Sequence, residues 1–537
     1  MKRKALLTLS SLSLLLLACG GEPAPSSSSS ASSADSSKEE SSSTTPASFS
    51  EQSSSSSEAS SSSASSSASS TSKPPSKNGT YDFYCINDFH GSIVEQGSGS
   101  YYEAGIAKYF GKLKALKTAD PEHNIILSAG DMFQGSLESN SNYGKLIMEA
   151  MNETGFDAMT VGNHEFDYGQ QKLLDNVNRA NFPVLGGNIV KHGTDTPWNQ
   201  AIKTSTVLQR GGNKIGIVGM IGYGQTTSIN SPYVQDIDFK NPTPLAKAEA
   251  KRLREEEGCN LVIYVIHDDM NTCYTGVADK AYFDGVFCGH KHTLNDEVVF
   301  GVPFVQSYCN GEAISHFKIT ITDGTAVCTE HGIIQSDSSW EEDPEIAAIR
   351  DSYIEDPAFK AKAARVAGTV DGTLYAKEGV SNLGVKAIYE KYHALHPEIV
   401  CAIENGQRAN LRGTITYHDI YKATPFMNKI IIAKVKGSEI WKQASYSGMS
   451  CYHGSNQINN SNDLYTVACI DYVLYHQNES KIYNYFSSLN TNFDSKIVAD
   501  YEDFPFDITF DYVKNDLGGA VTASDFLNSS PGFGPIS

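Results

Sequence analysis

Between residue 81 and about residue 335, short apolar runs alternate with helix-like stretches. That alternation limits the fold of the chain more than any other feature. Tyr81–Ile86, Asn124–Ser128, Ala158–Val161, Pro183–Leu185, Lys214–Met220, Leu261–Ile266 and Gly285–Cys288 read as buried strands. Tyr102–Lys117, Tyr143–Thr154, Gln170–Asn178 and Pro244–Glu257 read as helices between them. Strands that regularly alternate with helices predict an α/β layered domain.

The chain ahead of this region has a different character. Lys2-Arg3-Lys4 precedes an apolar run from Leu6 to Leu17, the layout of a signal peptide. The run ends Leu16-Leu17-Ala18-Cys19, which resembles the lipobox of bacterial lipoproteins and implies cleavage before a lipidated Cys19. Ser26 to Ser72 is almost wholly Ser and Ala and cannot bury enough apolar area to fold. As a coil of about 50 residues it reaches on the order of 40 Å, a spacer between a membrane and a folded body. The expected divisions are a signal over 1–18, a lipidated Ser-rich tether over 19–79, a first domain over 80–335, a linker helix over 336–367 and a second domain over 368–537. The expected location is outside the cell, anchored to its membrane through Cys19. A formal net charge of −20 argues against broad binding to a nucleic-acid polymer, so an anionic substrate needs local positive charge. The ten cysteines have irregular spacing with no zinc pair or disulfide framework, and Cys85, Cys259, Cys288, Cys401 and Cys469 read as buried thiols. The sequence leaves the oligomeric state open.

The residues that follow the strands share one chemistry. Asp88 and His90 come after the first run, Asp131 after the second, and Asn163 and His164 after the third. His267 closes Leu261–Ile266, and His290 and His292 follow Gly285–Cys288. Sites in α/β domains gather at the carboxyl ends of strands. Mixed carboxylate and imidazole donors suit Zn²⁺, Mn²⁺ or Fe rather than Ca²⁺. Seven donors exceed one tetrahedral ion and suit two divalent ions about 3.5–4 Å apart that share a carboxylate, an arrangement that activates water and neutralises a phosphoryl transition state. Each piece is common alone: a lone histidine ending a strand is usually a satisfied core residue. Five such pieces in order, each after a strand, are not what packing requires.

Asp88-x-His90, Gly130-Asp131, Gly162-Asn163-His164-Glu165, His267 and Gly289-His290-x-His292 together resemble the motif set of the calcineurin-like metallophosphoesterases, and more narrowly of the bacterial 5′-nucleotidase family. The resemblance implies a layered sandwich of two β-sheets flanked by helices, followed by a second α/β domain that binds substrate. It implies that Asp88, His90, Asp131 and His292 hold one metal, and that Asp131 (bridging), Asn163, His267 and His290 hold the other. It further implies that His164, paired with Asp167, stabilises the transition state.

The same resemblance extends to the C-terminal part. Glu404-Asn405-Gly406-Gln407-Arg408 and Pro425-Phe426-Met427-Asn428 are similar to the family's substrate segments. Arg408 is the candidate partner for substrate phosphate, since its planar fork gives paired hydrogen bonds, with Arg412 as a weaker companion. Here the chain departs from its relatives: the Gly-Gly-x-Arg loop is shortened to Gly-Gln-Arg, and the expected Gly-Gly-Asp-Gly-Tyr is replaced by Tyr475-His476-Gln477-Asn478-Glu479. Tyr452 and Tyr472 are the candidates for the two aromatic faces that would sandwich a nucleobase. The implied activity is phosphate release from 5′-nucleotides, a small-molecule substrate. A 2′,3′-cyclic-nucleotide phosphodiesterase or UDP-sugar hydrolase is the near alternative, and a non-catalytic surface solute binder or adhesin the alternative of a different class.

Overall fold

The structure, a computed structural model, describes residues 76–270 and 276–536. The expected signal, Cys19 and most of the Ser-rich tether lie outside the described residues. Among the described residues no helix is long and apolar enough to cross a membrane.

The first part of the chain is built on two six-stranded sheets. One runs, across its width, Thr325–Gln335, Ala313–Thr322, Gly79–Ile86, Asn124–Ser128, Ala158–Thr160 and Val184–Leu185. The other runs Asn295–Val299, Val302–Gln306, Gly285–Cys288, Leu261–His267, Asn213–Ile221 and Ser205–Arg210. The central strands of each are parallel, with Tyr84 opposite Ile126 in the first and Val286 opposite Tyr264 in the second. A strand buried on both faces reads as a continuous apolar run, which is why these strands are visible in sequence. Alternate residues Phe83 and Cys85 point inward between the sheets, against Ile263, Val265 and Phe287 of the other sheet. The opposite face of the first sheet packs Tyr84 and Ile86 under the helices Gly105–Ala119 and Lys145–Thr154. The second sheet is covered by Pro242–Glu255, through Ala246, Ala250 and Leu253. This is the layered α/β sandwich expected from sequence.

Two hairpins were not expected. Asn295–Val299 with Val302–Gln306 extends the second sheet, and Ala313–Thr322 with Thr325–Gln335 extends the first. The outermost strand, Thr325–Gln335, buries none of its residues fully and has no apolar run to betray it. The linker differs as well. A single helix was expected, but Pro344–Ile354 and Pro357–Ala363 are separate helices. Pro357 lacks an N–H and pushes Asp356 to an extended ψ of 127°, where its carboxylate caps the second helix.

The second part holds a five-stranded sheet: Ser450–Tyr452, Ile399–Glu404, Leu464–Ile470, Ile430–Lys436 and Ile497–Tyr501. A three-stranded sheet, Leu411–Thr416, Val366–Leu374 and Ala520–Thr522, stands beside it. Both share one core, in which the helix Ser381–Leu395 contributes Leu383, Val385 and Ile388. Leu137 of the first part is buried in that same core. The five cysteines expected to be buried thiols are buried and free.

Candidate functional site

Five parallel strands deliver their C-terminal ends to one edge. Asp88 donates its backbone N–H to Gly130 O (2.9 Å), and His90 donates to Asp131 O (3.1 Å), so the first two strand ends are zipped together. Asp88, His90, Asp131, His290 and His292 all have left-handed backbone, with φ of 50°, 47°, 56°, 78° and 50°. Such geometry costs a non-glycine residue about 1–3 kcal/mol, and its clustering at one edge marks a site that the surrounding fold enforces. Gly162 shows how tight that edge is: a Cβ there would stand 2.3 Å from Asp131 Oδ1 and 2.9 Å from His267 Cε1.

All seven candidate ligands converge. Asp88, His90 and His292 form one group that could hold a metal ion, Asp131, His267 and His290 another, and His90, Asp131 and His164 a third that links the two, each with its donor atoms within 4.8 Å of one another. His90 Nε2 lies 2.9 Å from His292 Nε2, and His292 Nε2 is 3.3 Å from Asp88 Oδ1. His267 Nε2 is 3.1 Å from Asp131 Oδ2. Asn163 Oδ1 lies 3.0 Å from both His267 Nε2 and His290 Nδ1.

Three observations fit this donor set to cations. Asp88 Oδ1 is fully buried with only the ring nitrogens of His292 (3.3 Å) and His90 (3.9 Å) beside it, so a cation would satisfy a carboxylate oxygen that water does not reach. His90 Nδ1 faces Gln134 O at 3.0 Å and His267 Nδ1 faces Ala129 O at 2.8 Å. Those carbonyls can only accept, so each ring donates from Nδ1 and turns the other nitrogen toward the cluster. Burial, reinforced by neighbouring imidazoles, lowers His90 and His290 to about 3, so both rings are neutral, the form that can coordinate a cation. Burial works against ionised Asp88, but His292 and His267 outweigh it and bring its pKa to about 2.

Two residues without an expected role buttress the site. Glu165 is fully buried and accepts from the N–H groups of Asp131 (2.8 Å), Met132 (2.7 Å) and Gly162 (2.7 Å), tying two strand ends together. Asn87 Nδ2 donates to Asp88 Oδ2 (2.6 Å) and to the carbonyls of Ser307 and Tyr308. Glu165 was legible as part of the Gly-Asn-His-Glu motif. Asn87 had no signal beyond its position before Asp88.

His164 borders the cluster, its ring centroid 5.1 Å from that of His90. Its Nδ1 is 2.7 Å from Asp167 Oδ2, and its backbone N–H donates to Asp131 Oδ1 at 2.8 Å. Burial disfavours a charged ring there, yet Asp167 and Asp131 prevail and hold the His164 pKa above its ordinary value.

From the second part, Phe426 reaches to within 6.3 Å of the His164 ring, centroid to centroid, and the Arg408 guanidinium sits 5.1 Å over the Phe426 ring. Arg408 is exposed and joins this edge, whereas Arg412 is exposed on Leu411–Thr416, opposite Thr373. The expectation for Tyr452 is corrected. It is 8 % exposed, edge-on to Tyr389 at 5.1 Å and against Phe533 at 4.8 Å, and so belongs to the core rather than to a base-stacking face. Its strand pairs it with Ala402, and the apolar surroundings take up the ring. Tyr472 is half-buried, with its ring edge-on to His476 at 5.9 Å. Phe426, quoted in its motif but given no role, is a ring of the second part that stands beside His164.

Comparison with known proteins agrees with this geometry. Residues 81–294 match the family model of the calcineurin-like phosphoesterases, and residues 362–447 match that of the 5′-nucleotidase C-terminal domain. The chain is 27% identical over 399 residues to a 5′-nucleotidase of Diplobatis ommata, covering 66% of this chain and 68% of that one. It is 26% identical over 416 residues to the 5′-nucleotidase of Bos taurus, covering 67% and 70%. Its fold is similar to that of a 5′-nucleotidase precursor from Thermus thermophilus, with a TM-score of 0.67 and 19% identity over 82% of this chain and 99% of that one. With the phosphoesterase motifs brought to one edge and the nucleotidase domain following in order, the chain belongs to the 5′-nucleotidase family and is a metal-dependent phosphoesterase.

Proposed function

We propose that the chain releases phosphate from nucleoside 5′-monophosphates with two divalent ions, in a catalytic domain of residues 80–335 joined through 336–367 to a substrate domain of 368–537. The observation that carries this reading is the convergence of Asp88, His90, Asp131, Asn163, His267, His290 and His292, with Asp131 within reach of both halves of the cluster. Asp88, His90, Asp131 and His292 would hold one ion, and Asp131, Asn163, His267 and His290 the other. Such ions lower the pKa of water and neutralise developing phosphoryl charge.

The protein's own groups supply the rest. His164, whose pKa Asp167 and Asp131 raise against burial, would donate to a phosphoryl oxygen and pass a proton to the leaving ribose oxygen. Asp167 holds that ring in one orientation. Arg408 offers paired donors to the anionic part of the substrate, and Phe426 beneath it restrains the guanidinium. Arg412 is a further cation of the same strand-and-loop region, and Tyr472 is the remaining candidate for a base face. The resemblance at Leu16–Cys19 supports export and a lipid anchor at Cys19, which would set the enzyme outside the cell.

The test is phosphate release from AMP by the purified protein, within a panel of nucleoside diphosphates, cyclic nucleotides and nucleotide sugars. A chelator is expected to abolish turnover, and Mn²⁺ or Zn²⁺ to restore it. Absence of turnover on every phosphate ester across several metals would remove the reading. Preference for a cyclic nucleotide or a nucleotide sugar would keep the chemistry and change the substrate.

A further inference from the structure

The loop after Asp131 faces two ways. Its backbone belongs to the metal cluster. His90 N–H donates to Asp131 O at 3.1 Å and Gly91 N–H to Met132 O at 3.0 Å. The Gln134 carbonyl then fixes the His90 ring through Nδ1. Gly135 packs so closely that a Cβ there would stand 2.0 Å from His90 O. The side chains of the same stretch point to the second domain. Gln134 Nε2 donates to Pro425 O at 3.1 Å, and Asn140 Nδ2 donates to the same carbonyl at 3.0 Å. Asn140 Nδ2 also meets Tyr421 OH at 2.6 Å, while its Oδ1 accepts from Gly135 N (3.0 Å) and Tyr168 OH (2.5 Å). Gln134 and Asn140 are 3 % and 2 % exposed, so these bonds are made away from competing water.

Pro425 immediately precedes Phe426, the ring between Arg408 and His164. A carbonyl has two lone pairs, and both are taken here by amides of one short loop. We propose that Gln134 and Asn140 form a two-amide latch on the Pro425 carbonyl, and that as positioning residues they select substrates which must be held by the second domain at the same time as the metals.

The inference rests on the nucleotide reading above but makes its own demand. On that reading a nucleoside monophosphate is held at the metal cluster and by Arg408 and Phe426 at once, so it needs those two residues set at a fixed distance from His164. A compact ester such as p-nitrophenyl phosphate has no nucleoside to hold. Gln134→Ala keeps the carbonyl that orients His90 and removes only the donor to Pro425. Loss of one buried hydrogen bond is expected to lower kcat/KM for AMP roughly tenfold, almost all of it in KM. For p-nitrophenyl phosphate the fall is expected to stay under about threefold. Tyr421→Phe, which removes a partner of Asn140 from the other side of the interface, is expected to act in the same direction and serves if Gln134→Ala does not fold. Hydrogen exchange of the segment 421–428 in the full protein is expected to quicken in either variant, whatever the substrate proves to be.

The outcomes separate cleanly. A wild-type enzyme inactive on every nucleotide of the panel removes the nucleotide reading, and the exchange rates then decide the latch. A wild-type enzyme active on AMP, with both esters impaired alike in the variant, or with unchanged exchange over 421–428, overturns the latch and leaves the nucleotide reading standing.

Discussion

Asp131→Asn is expected to lower phosphate release from AMP by ~10³-fold or more, by analogy with the loss of a group that stabilises transition-state charge. Asp131 lies at the centre of the cluster, 1 % exposed, with Oδ2 3.1 Å from His267 Nε2 and Oδ1 accepting from the His164 backbone. Asparagine keeps the shape and loses the charge. It also removes the charge from the oxygen 3.1 Å from His267 Nε2, through which the two residues would share an ion. Metal content is the readout beyond activity, and the variant is expected to retain less metal than wild type after dialysis. Full metal content with full turnover would show that Asp131 bridges nothing.

His164→Ala is expected to lower kcat by about 10²–10⁴-fold, the range for a positioned general acid, with little change in metal content. The seven candidate ligands keep their own donor atoms in this variant, and metal content is measured beside kcat because a His164 ring nitrogen lies within 4.8 Å of donors of His90 and Asp131. Asp167→Asn is expected to fall in the same direction by a smaller factor, since the ring keeps a neighbour but loses the charge that holds its proton. Turnover by His164→Ala equal to wild type would remove the acid role while leaving the enzyme class intact.

The part of this architecture that could be read beforehand follows from burial. Strands covered on both faces, such as Leu261–His267, must be apolar along their whole length and show as runs. Candidate ligands at their ends stand out because polar residues break those runs at fixed places. The strand Thr325–Gln335 has no such run, because its hydrogen bonds to Ala313–Thr322 do not require buried side chains. The linker broke at Pro357, a local signal that was present and outweighed by the charged helical pattern around it. Tyr452 misled for a different reason: a tyrosine beside a substrate segment has the same composition whether its ring faces a cleft or Phe533.

Gln134 and Phe426 were out of reach for a third reason. Gln134 meets Pro425 across 291 residues of chain, and no local pattern marks such a contact. Its other contribution, the carbonyl behind His90, is made by backbone and leaves no trace in residue type. Motifs thus reported the residues that gather at the strand ends, and missed most of what aims them.

The metal content of the purified protein, measured by elemental analysis on wild type and Asp131→Asn side by side, tests the central claim most directly. Two divalent ions per chain in wild type, with a clear loss in the variant, is the expected result. One ion or none per wild-type chain, after growth and assay with Mn²⁺ or Zn²⁺ in excess, would contradict the paired site on which the proposed hydrolysis depends.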